Sequence, residues 1–340
     1  MLLAAGLGTR LRPLTRLMPK PMAPVLNRPV MEHILRLLAA HGFEHVVTNV
    51  SYMPERIREH FGDGSAFGVE LTYSEESEPL GTAGGVGKVR DYLAAEESFL
   101  VISGDALTDI DLSAMRSAHE AGDRIATLAT KRVSDTTQFG VAITDEDGRI
   151  QGFQEKPPPA EALSDLANCG IYMFRAEIFD YFPGPEHHSP AGGDDQPAGF
   201  VDWAMDVFPT LLANDVPFYS HEIDAYWNDI GSISEYTQGN FDALAGALEL
   251  QGHTRVANGI YADEGADLKA VKVTPPLLIG VGAQVGADAR LHGPVVIGDG
   301  ARIGAGSMLR DCVVLPGAVL GPGTVVQGGV VGTAPDRPLG

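Results

Sequence analysis

The chain opens with LLAAGLGTRLRPLT at residues 2–15, and Pro19-Lys20-Pro21 follows closely. A short apolar strand here runs into a Gly-x-Gly turn, which leads to two arginines and then to a lysine between prolines. Backbone N–H groups at a glycine turn, with fixed cations nearby, suit a triphosphate. The spacing is not that of the common phosphate loops, because Leu11 stands where a dinucleotide fingerprint has its third glycine, and no G-x-x-x-x-G-K-[ST] occurs. Alone, this stretch predicts a phosphate-binding turn and no particular enzyme.

Composition limits the classes of protein to be considered. The 340 residues have a formal net charge of −21, and 44% of them are hydrophobic, which favours two domains and a sizeable core. The negative charge argues against nucleic acid or an anionic membrane as a partner. The two cysteines, Cys169 and Cys312, indicate neither a disulfide framework nor a metal knuckle. Because no signal peptide or membrane-spanning run is found, we expect a cytoplasmic protein.

Strands alternate with helices over roughly the first 130 residues, which predicts a mostly parallel sheet with ligands at the carboxyl ends of its strands. The glycine turn and Asp105 both fall at such ends. The alternation then gives way to a hairpin around 145–148 and a strand at 169–174, an antiparallel insertion suited to a second substrate. The segment 183–199 is rich in proline and glycine and predicts a loop. Met1 stands almost inside the first strand, so we expect the natural start upstream.

An aliphatic residue recurs at every sixth position from residue 273, with a one-residue phase slip at Leu320. The positions are Val273, Ile279, Val285, Leu291, Ile297, Ile303, Leu309 and Leu315. This hexapeptide repeat predicts about three coils of a parallel β-helix. The ends of such a helix must be capped or paired with another chain, so we expect a homo-oligomer formed through it. The predicted organisation is a domain at 1–245, a linker at 246–272 and the β-helix at 273–340.

Taken in order, the motifs resemble those of the sugar-phosphate nucleotidylyltransferases, also called NDP-sugar pyrophosphorylases. They comprise the opening GLGTR and PKP, the Ser-Gly-Asp ending at Asp105, LGTAGG at 80–85, FGV at 139–141, EKP at 155–157, NCGIY at 168–172 and WNDIG at 227–231. The resemblance implies an α/β fold, in which a Rossmann-like nucleotidyltransferase domain precedes a left-handed parallel β-helix. It also implies that a nucleoside triphosphate reacts with a sugar 1-phosphate to give an NDP-sugar and pyrophosphate.

The resemblance assigns roles by position. It assigns catalysis to Arg10, Lys20 and Asp105, and it assigns Mg²⁺ binding to Asp105 and Asp229. The nucleotide would contact Leu3, Ala5, Gly6, Gly8, Thr9, Gly81 and Thr82, and the sugar phosphate Gly140, Glu155, Lys156 and Asn168. These residue types suit the reaction, because a phosphate monoester with a second pKa of about 6 is already largely ionised at neutral pH. Catalysis then requires alignment and neutralisation of charge more than a strong base.

Within the family, the likeness is greatest to mannose-1-phosphate guanylyltransferases that have hexapeptide repeats. Ala5 departs from the Gly-Gly pair of many guanylyltransferases and leaves less room for a purine edge. Glucose-1-phosphate thymidylyl- or uridylyltransferase is therefore an alternative. Two other classes are a hexapeptide acyltransferase, for which His292 is the only histidine in the repeats, and a non-catalytic regulatory subunit. A regulatory paralogue would be expected to lack the metal-binding or cationic residues, all of which are present here.

Overall fold

A computed structural model of the chain describes residues 1–184, 187–191, 197–248, 253–266, 268, 270–332 and 338–339. Residues 185–186 and 192–196 of the predicted 183–199 loop therefore lie outside the described residues. The chain divides into two compact units. We call Met1–Leu7 with Ile34–Trp227 the sheet unit, and Gly8–His33 with Asn228–Gly340 the coil unit. The domain boundaries expected at 245 and 273 remain a prediction about folding domains, since these units interleave along the chain.

The sheet unit is built on one nine-stranded sheet. Its strands are β1 Leu2–Leu3, β4 His45–Val50, β5 Glu70–Glu75, β6 Ser98–Ser103, β8 Ala126–Arg132, β9 Gly140–Thr144, β10 Ile150–Glu155, β11 Leu166–Arg175 and β12 Phe218–Glu222, with the short β7 Leu107–Thr108 outside it. Its helices are α2 Pro54–Phe61, α3 Gly81–Lys88, α4 Arg90–Leu93, α5 Leu112–Glu120 and α6 Phe208–Ala213, preceded by a π-helical turn at Trp203–Val207. The helix α1, Val30–Ala40, leads into this unit from the coil unit.

The strand order is β10-β9-β11-β6-β1-β4-β5, and β8 joins β11 to β12. The strands β6, β1, β4 and β5 are parallel, as the alternating pattern predicted, whereas β11 runs antiparallel to β6, β8 and β9. The predicted hairpin is β9 and β10, with Glu155 opposite Gly140. The antiparallel insertion therefore lies in the same sheet as the opening strand. Its buried core includes Trp203, Phe174 and Phe208, whose rings stack.

The first strand is short beside its neighbours. It contributes two residues, while β4 and β6 contribute six each. A cavity of about 1020 Å³, lined in part by Met1, Val47 and Leu100, lies where these strands begin. The terminal amine of Met1 donates a hydrogen bond of 2.6 Å to the Leu100 carbonyl, and burial lowers its pKa from 8.0 to about 5.

The coil unit contains a hairpin, a helix and the predicted β-helix. Its elements are β2 Pro24–Val25, β3 Arg28–Pro29, α7 Ile233–Ala245, β14 Arg255–Ala257, β15 Ile260–Ala262, β16 Lys272–Thr274, β17 Leu277–Ile279, β18 Gln284–Val285, β19 Arg290–Ile297, β20 Arg302–Ile303, β21 Met308–Val314, β22 Val319–Leu320, β23 Val325–Gln327, β24 Val330–Val331 and β25 Pro338–Leu339, with β13 Trp227–Asn228 at its boundary. Ser232 caps the N-terminus of α7, because its Oγ accepts the Glu235 N–H. The predicted linker contains β14 and β15, and β15 pairs in parallel with the β-helix strand β17.

The β-helix is confirmed by three columns of parallel strands whose inward residues stack from coil to coil. Val273, Leu291, Leu309 and Val326 form one column, and Val285, Ile303 and Leu320 another. Glycines permit this close stacking, since a Cβ on Gly298 or Gly304 would lie 2.3 Å from a proline nitrogen of the next coil.

The position predicted for the phase slip was wrong. Ile297 pairs with Val314, and not with Leu315, because the two residues Gly293 and Pro294 in one coil are matched by Asp311 alone in the next. Asp311 has a positive φ of 50°, and it shortens the coil by one residue before Leu320 is reached. No helix in the described part of the chain is long and apolar enough to cross a bilayer.

Candidate active site

The glycine turn of the opening stretch folds back on the residues that follow it. Gly8 has a φ of 59°, and a Cβ there would lie 2.9 Å from Thr15 Cγ2 and 3.0 Å from Lys20 Cβ. Thr15 Oγ1 donates a hydrogen bond of 2.8 Å to the Gly8 carbonyl. Glycine is therefore required at position 8 for both its conformation and its close packing. The turn brings Gly8 next to Lys20, as expected, and Arg10 is exposed on the short 3₁₀ helix Thr9–Leu11.

Lys20 lies beside Asp229 within the coil unit. Its Nζ donates a hydrogen bond of 3.0 Å to the backbone carbonyl of Asp229. Asp229 occupies a tight turn in which the Ile230 N–H donates to Asn228 Oδ1 and a Cβ on Gly231 would lie 3.2 Å from its carboxylate. Two predicted site residues that are 209 positions apart in sequence are thus brought together. Asp229 itself is half-buried in this turn.

The segment around Lys20 is cationic in a strongly acidic chain. Arg10, Arg12, Arg16, Lys20 and Arg28 all precede the first carboxylate of the sequence, Glu32. Local positive charge of this kind attracts an anion even where the net charge of −21 repels it at long range. The opening segment therefore carries local positive charge, and its role in binding a triphosphate remains a prediction.

Asp105 lies at the carboxyl end of β6, next to the opening strand. Ser103 Oγ donates a hydrogen bond of 2.7 Å to Asp105 Oδ1, which orients the carboxylate. Gly104 N donates to the Leu3 carbonyl, and a Cβ on Gly104 would lie 2.7 Å from that oxygen. Leu3 and Asp105 therefore lie close together at the carboxyl ends of β1 and β6, where the sequence predicted ligand-binding residues. The orienting role of Ser103 was not predicted.

A buried polar network ties the opening strand to the second glycine turn. The Ala4 N–H donates to Asn49 Oδ1 at 2.7 Å, and Asn49 Nδ2 donates to Glu76 Oε1 at 2.8 Å. Glu76 Oε2 in turn accepts the Leu80 N–H at 3.0 Å. Asn49 and Glu76 are 2% and 3% exposed, so these bonds are shielded from water. The network fixes the backbone next to Ala5 and Gly6 relative to the backbone next to Gly81.

Gly81 and Thr82 begin α3 and pack on a neighbouring segment. A Cβ on Gly81 would lie 2.4 Å from the Val201 carbonyl, which also accepts the N–H groups of residues 83 and 84. Thr82 Oγ1 donates to Asp202 Oδ2 and accepts from the Trp203 N–H. These contacts hold the turn in place, while the nucleotide-binding role of Gly81 and Thr82 remains a prediction.

Three of the residues predicted for the sugar phosphate lie on three adjacent strands, and Lys156 directly follows β10. Glu155 and Gly140 are opposite each other on β10 and β9, and a Cβ on Gly140 would lie 3.1 Å from Glu155 Oε2. Lys156 Nζ lies 2.8 Å from Glu155 Oε1, with both side chains about half exposed. Asn168 follows Ala167, the residue that pairs with Val141 on β9. The structure thus brings all four predicted residues into one region of the sheet.

An aromatic pair lies next to this region and was not predicted as part of it. The rings of Phe139 and Trp227 are 5.1 Å apart, and Trp227 Nε1 donates to the Cys169 carbonyl at 3.0 Å. Burial raises the pKa of the Cys169 thiol far above its ordinary value, so the thiol stays protonated. The pair is thus joined to the segment that contains Asn168 through the Cys169 carbonyl. The available signal was that both aromatics begin motifs quoted above, FGV at 139–141 and WNDIG at 227–231.

Asp105 and Asp229 are the predicted ligands of a divalent cation. No cluster of three or more His, Cys, Asp or Glu side chains able to hold a metal occurs among the described residues. Mg²⁺ bound with a nucleotide needs only one or two carboxylates, because phosphates and waters complete its octahedron. Asp105 and Asp229 are oxygen donors of that kind, each held in a defined turn. Each carboxylate is of a kind that fits a phosphate-bound Mg²⁺, and no all-protein metal cage occurs in the described part of the chain.

Comparison with known proteins shows which families and folds this chain is similar to. The sequence model of the nucleotidyl transferase family matches residues 1–246. A UTP–glucose-1-phosphate uridylyltransferase of Synechocystis sp. is 36% identical over 343 residues, covering 95% of this chain and 84% of that protein. A mannose-1-phosphate guanylyltransferase of Mycobacterium tuberculosis is 35% identical over 302 residues, covering 86% and 78%. The fold is similar to a Bacillus anthracis structure assigned as a glucose-1-phosphate thymidylyltransferase, with a TM-score of 0.62 at 24% identity over 73% of this chain and 95% of that one.

Proposed function

Because the chain belongs to the nucleotidyl transferase family, we propose that it transfers GMP from GTP to mannose 1-phosphate, giving GDP-mannose and pyrophosphate. The coarser activity, that of a sugar-1-phosphate nucleotidylyltransferase, is common to the family members compared above. The observation that supports the proposal most directly is the hydrogen bond between Lys20 Nζ and the Asp229 carbonyl. It joins a cation of the opening loop to the backbone of Asp229, one of the two predicted metal ligands.

The reaction makes one bond and breaks one. A phosphate oxygen of the sugar 1-phosphate attacks the α-phosphorus of the triphosphate, and the bond from the α-phosphorus to the bridging oxygen breaks to release pyrophosphate. Arg10 and Lys20 would neutralise the triphosphate and the negative charge that grows on the leaving pyrophosphate. Asp105 and Asp229 would hold Mg²⁺, which supplies further neutralisation of phosphate charge. No protein general base is required, because the attacking phosphate is already ionised.

The sugar phosphate would be held by the β9–β10–β11 region. The Glu155 carboxylate accepts hydrogen bonds from sugar hydroxyls, and the Lys156 ammonium binds the phosphate. Lys156 has a positive φ of 47°, a conformation uncommon for a non-glycine residue and frequent at functional sites. Asn168 and the backbone at Gly140 would complete the contacts to the ring. Binding both substrates in fixed orientations supplies the alignment on which in-line transfer depends.

A second candidate pair is UTP with glucose 1-phosphate. Two observations favour it: the Synechocystis uridylyltransferase matches 95% of this chain, and Ala5 is a buried alanine, 4% exposed, where a glycine would give a purine more room. A pyrimidine is smaller than guanine and needs less room beside Ala5. The two pairs differ in substrates and share the reaction.

The proposal is tested by comparing kcat/KM for the two pairs, with release of pyrophosphate as the readout. A value for GTP with mannose 1-phosphate at least about tenfold higher, equivalent to about 1.4 kcal/mol of transition-state binding, supports the guanylyl assignment. The opposite ratio contradicts it and assigns the uridylyl pair. In the guanylyl case, Ala5→Gly should retain or improve kcat/KM with GTP, because it only adds space beside the base.

We further propose that the protein is a homo-oligomer formed through the β-helix. The exposed side chains of Val319 and Val325 lie outward on its last coils, and apolar groups at the end of a repeat array favour pairing with another chain. Sedimentation equilibrium tests this directly. A monomer at micromolar concentration contradicts it.

A further inference from the structure

The opening loop is connected to the β-helix by a hairpin within the coil unit. The 3₁₀ turn Lys20–Met22 passes directly into β2, and β2 pairs with β3. At the base of the hairpin, the N–H of Val30 donates to the Ala23 carbonyl, and the N–H of Ala23 donates to the Lys20 carbonyl. The backbone that positions Lys20 is therefore continuous with the hairpin through a chain of hydrogen bonds.

The tip of this hairpin has an unusual backbone. Leu26 and Asn27 both have positive φ, 48° and 64°, as a two-residue turn between twisted strands requires. A leucine rarely adopts this conformation, because its Cβ crowds the backbone. Leu26 is nevertheless only 2% exposed. The surrounding structure must hold the tip in place.

Helix α7 holds the tip from one side. The Leu26 N–H donates to Asn240 Oδ1 at 2.9 Å, and Tyr236 Oη donates to the Pro24 carbonyl at 2.6 Å. Asn240 Nδ2 donates to the carbonyl of Tyr236, four residues earlier, so the amide that receives the hairpin is itself oriented. Both side chains are fully buried. This helix begins a few residues after Asp229, whose carbonyl accepts Lys20.

The β-helix holds the tip from another side. Asn27 Nδ2 donates a hydrogen bond of 3.0 Å to the carbonyl of Ile297, the last residue of β19. Gly280 leaves the space for this contact, since a Cβ there would lie 2.4 Å from Asn27 Nδ2 and 2.2 Å from Asp299 Oδ1. A residue of the coils thus receives a hydrogen bond from the segment that includes Lys20.

We propose that the hairpin tip is the point through which the β-helix sets the position of Lys20, so that Asn27 and Gly280 are positioning residues for nucleotide binding. This inference rests on the proposed function of Lys20 as a triphosphate ligand. Removal of the tip contact leaves the sugar-phosphate region unchanged, because Gly140, Glu155 and Asn168 belong to other elements. The expected effect is therefore confined to the KM for the nucleoside triphosphate.

Two variants and a matched control test the proposal. Asn27→Gly removes the amide and retains a residue that tolerates positive φ. Gly280→Ala adds a Cβ to the β-helix that would lie 2.4 Å from Asn27 Nδ2, so the Asn27 side chain must move. Gly321→Ala is the control, because Gly321 also follows an inward aliphatic residue of the repeat and its added Cβ would meet nothing closer than Thr324 Oγ1 at 3.9 Å.

The KM for each substrate is measured for the active wild type and the variants, together with amide hydrogen exchange in residues 19–25. The expected result for Asn27→Gly and Gly280→Ala is an increase of about 3- to 10-fold in the KM for the nucleoside triphosphate, the size that one hydrogen bond supports. The KM for the sugar phosphate stays unchanged, exchange in residues 19–25 becomes faster, and Gly321→Ala behaves as the wild type. Equal increases in both KM values, or no change in either, overturn the proposal. An inactive wild type would contradict the proposed function alone, and unchanged exchange in Asn27→Gly would still overturn the inference about the hairpin.

Discussion

Glu76→Gln is expected to destabilise the protein and to weaken nucleotide binding together. Glu76 accepts two hydrogen bonds, one from Asn49 Nδ2 and one from the Leu80 N–H. A glutamine has one oxygen and one NH₂ group, so one of these two donors would face another donor. Rotation of the Asn49 amide gives no relief, because Asn49 Oδ1 accepts the Ala4 N–H. The network therefore admits a carboxylate at position 76 and not an amide.

The magnitude follows from the burial of these groups. Hydrogen bonds to a charged group contribute about 1.5–3 kcal/mol, and a buried donor left unsatisfied costs about 1–3 kcal/mol. Since part of the network can relax, we expect a loss of about 2–4 kcal/mol in the free energy of unfolding. This corresponds to a decrease of about 1 M in the urea midpoint at a typical slope. The KM for the nucleoside triphosphate should rise as well, because the network fixes the backbone at Ala4 and Leu80.

Glu75→Gln is the matched control. Glu75 is the preceding residue, its side chain is 59% exposed, and its salt bridge to Arg58 is a surface pair worth about 0–1 kcal/mol. Urea unfolding followed by circular dichroism compares the two variants. If Glu76→Gln unfolds at the same urea concentration as Glu75→Gln, the buried network does not hold the two turns and the reasoning is refuted.

Two further predictions concern the two substrates. Gly140→Ala places a Cβ 3.1 Å from Glu155 Oε2, so kinetics should show a higher KM for the sugar phosphate and an unchanged KM for the nucleotide. Asp105→Asn retains the size of the side chain and removes its charge. We expect kcat to fall by about 10²–10³ and the melting temperature to stay within about a degree of the wild type. An active variant would exclude Asp105 from metal binding.

Local sequence patterns predicted most of the fold because they report on burial at fixed intervals. The sixfold repeat revealed the β-helix, since each inward position of a coil must be aliphatic. The same pattern misplaced the phase slip. Leu315 is aliphatic and buried, as the pattern requires, but the residue that stacks on Ile297 is Val314. The one-residue corner at Asp311 has no signal that distinguishes it from an ordinary turn.

Long-range polar contacts could not be predicted in this way. Asn49 was a polar residue in an apolar strand, but nothing in the sequence paired it with Glu76 or with Ala4. The hairpin tip was equally hidden, because Leu26 is a residue that turns of this type rarely contain. Motif order predicted a common function for Lys20 and Asp229, and only the structure showed the hydrogen bond between them.

The reaction itself is tested most directly by ³¹P NMR of the wild-type protein with Mg²⁺, a nucleoside triphosphate and a sugar 1-phosphate. GTP with mannose 1-phosphate and UTP with glucose 1-phosphate are followed in parallel. The account predicts that, for at least one pair, the triphosphate and monoester resonances decline together while a sugar diphosphate diester and pyrophosphate appear in equal amounts. Release of orthophosphate, or no change in either mixture, would contradict it.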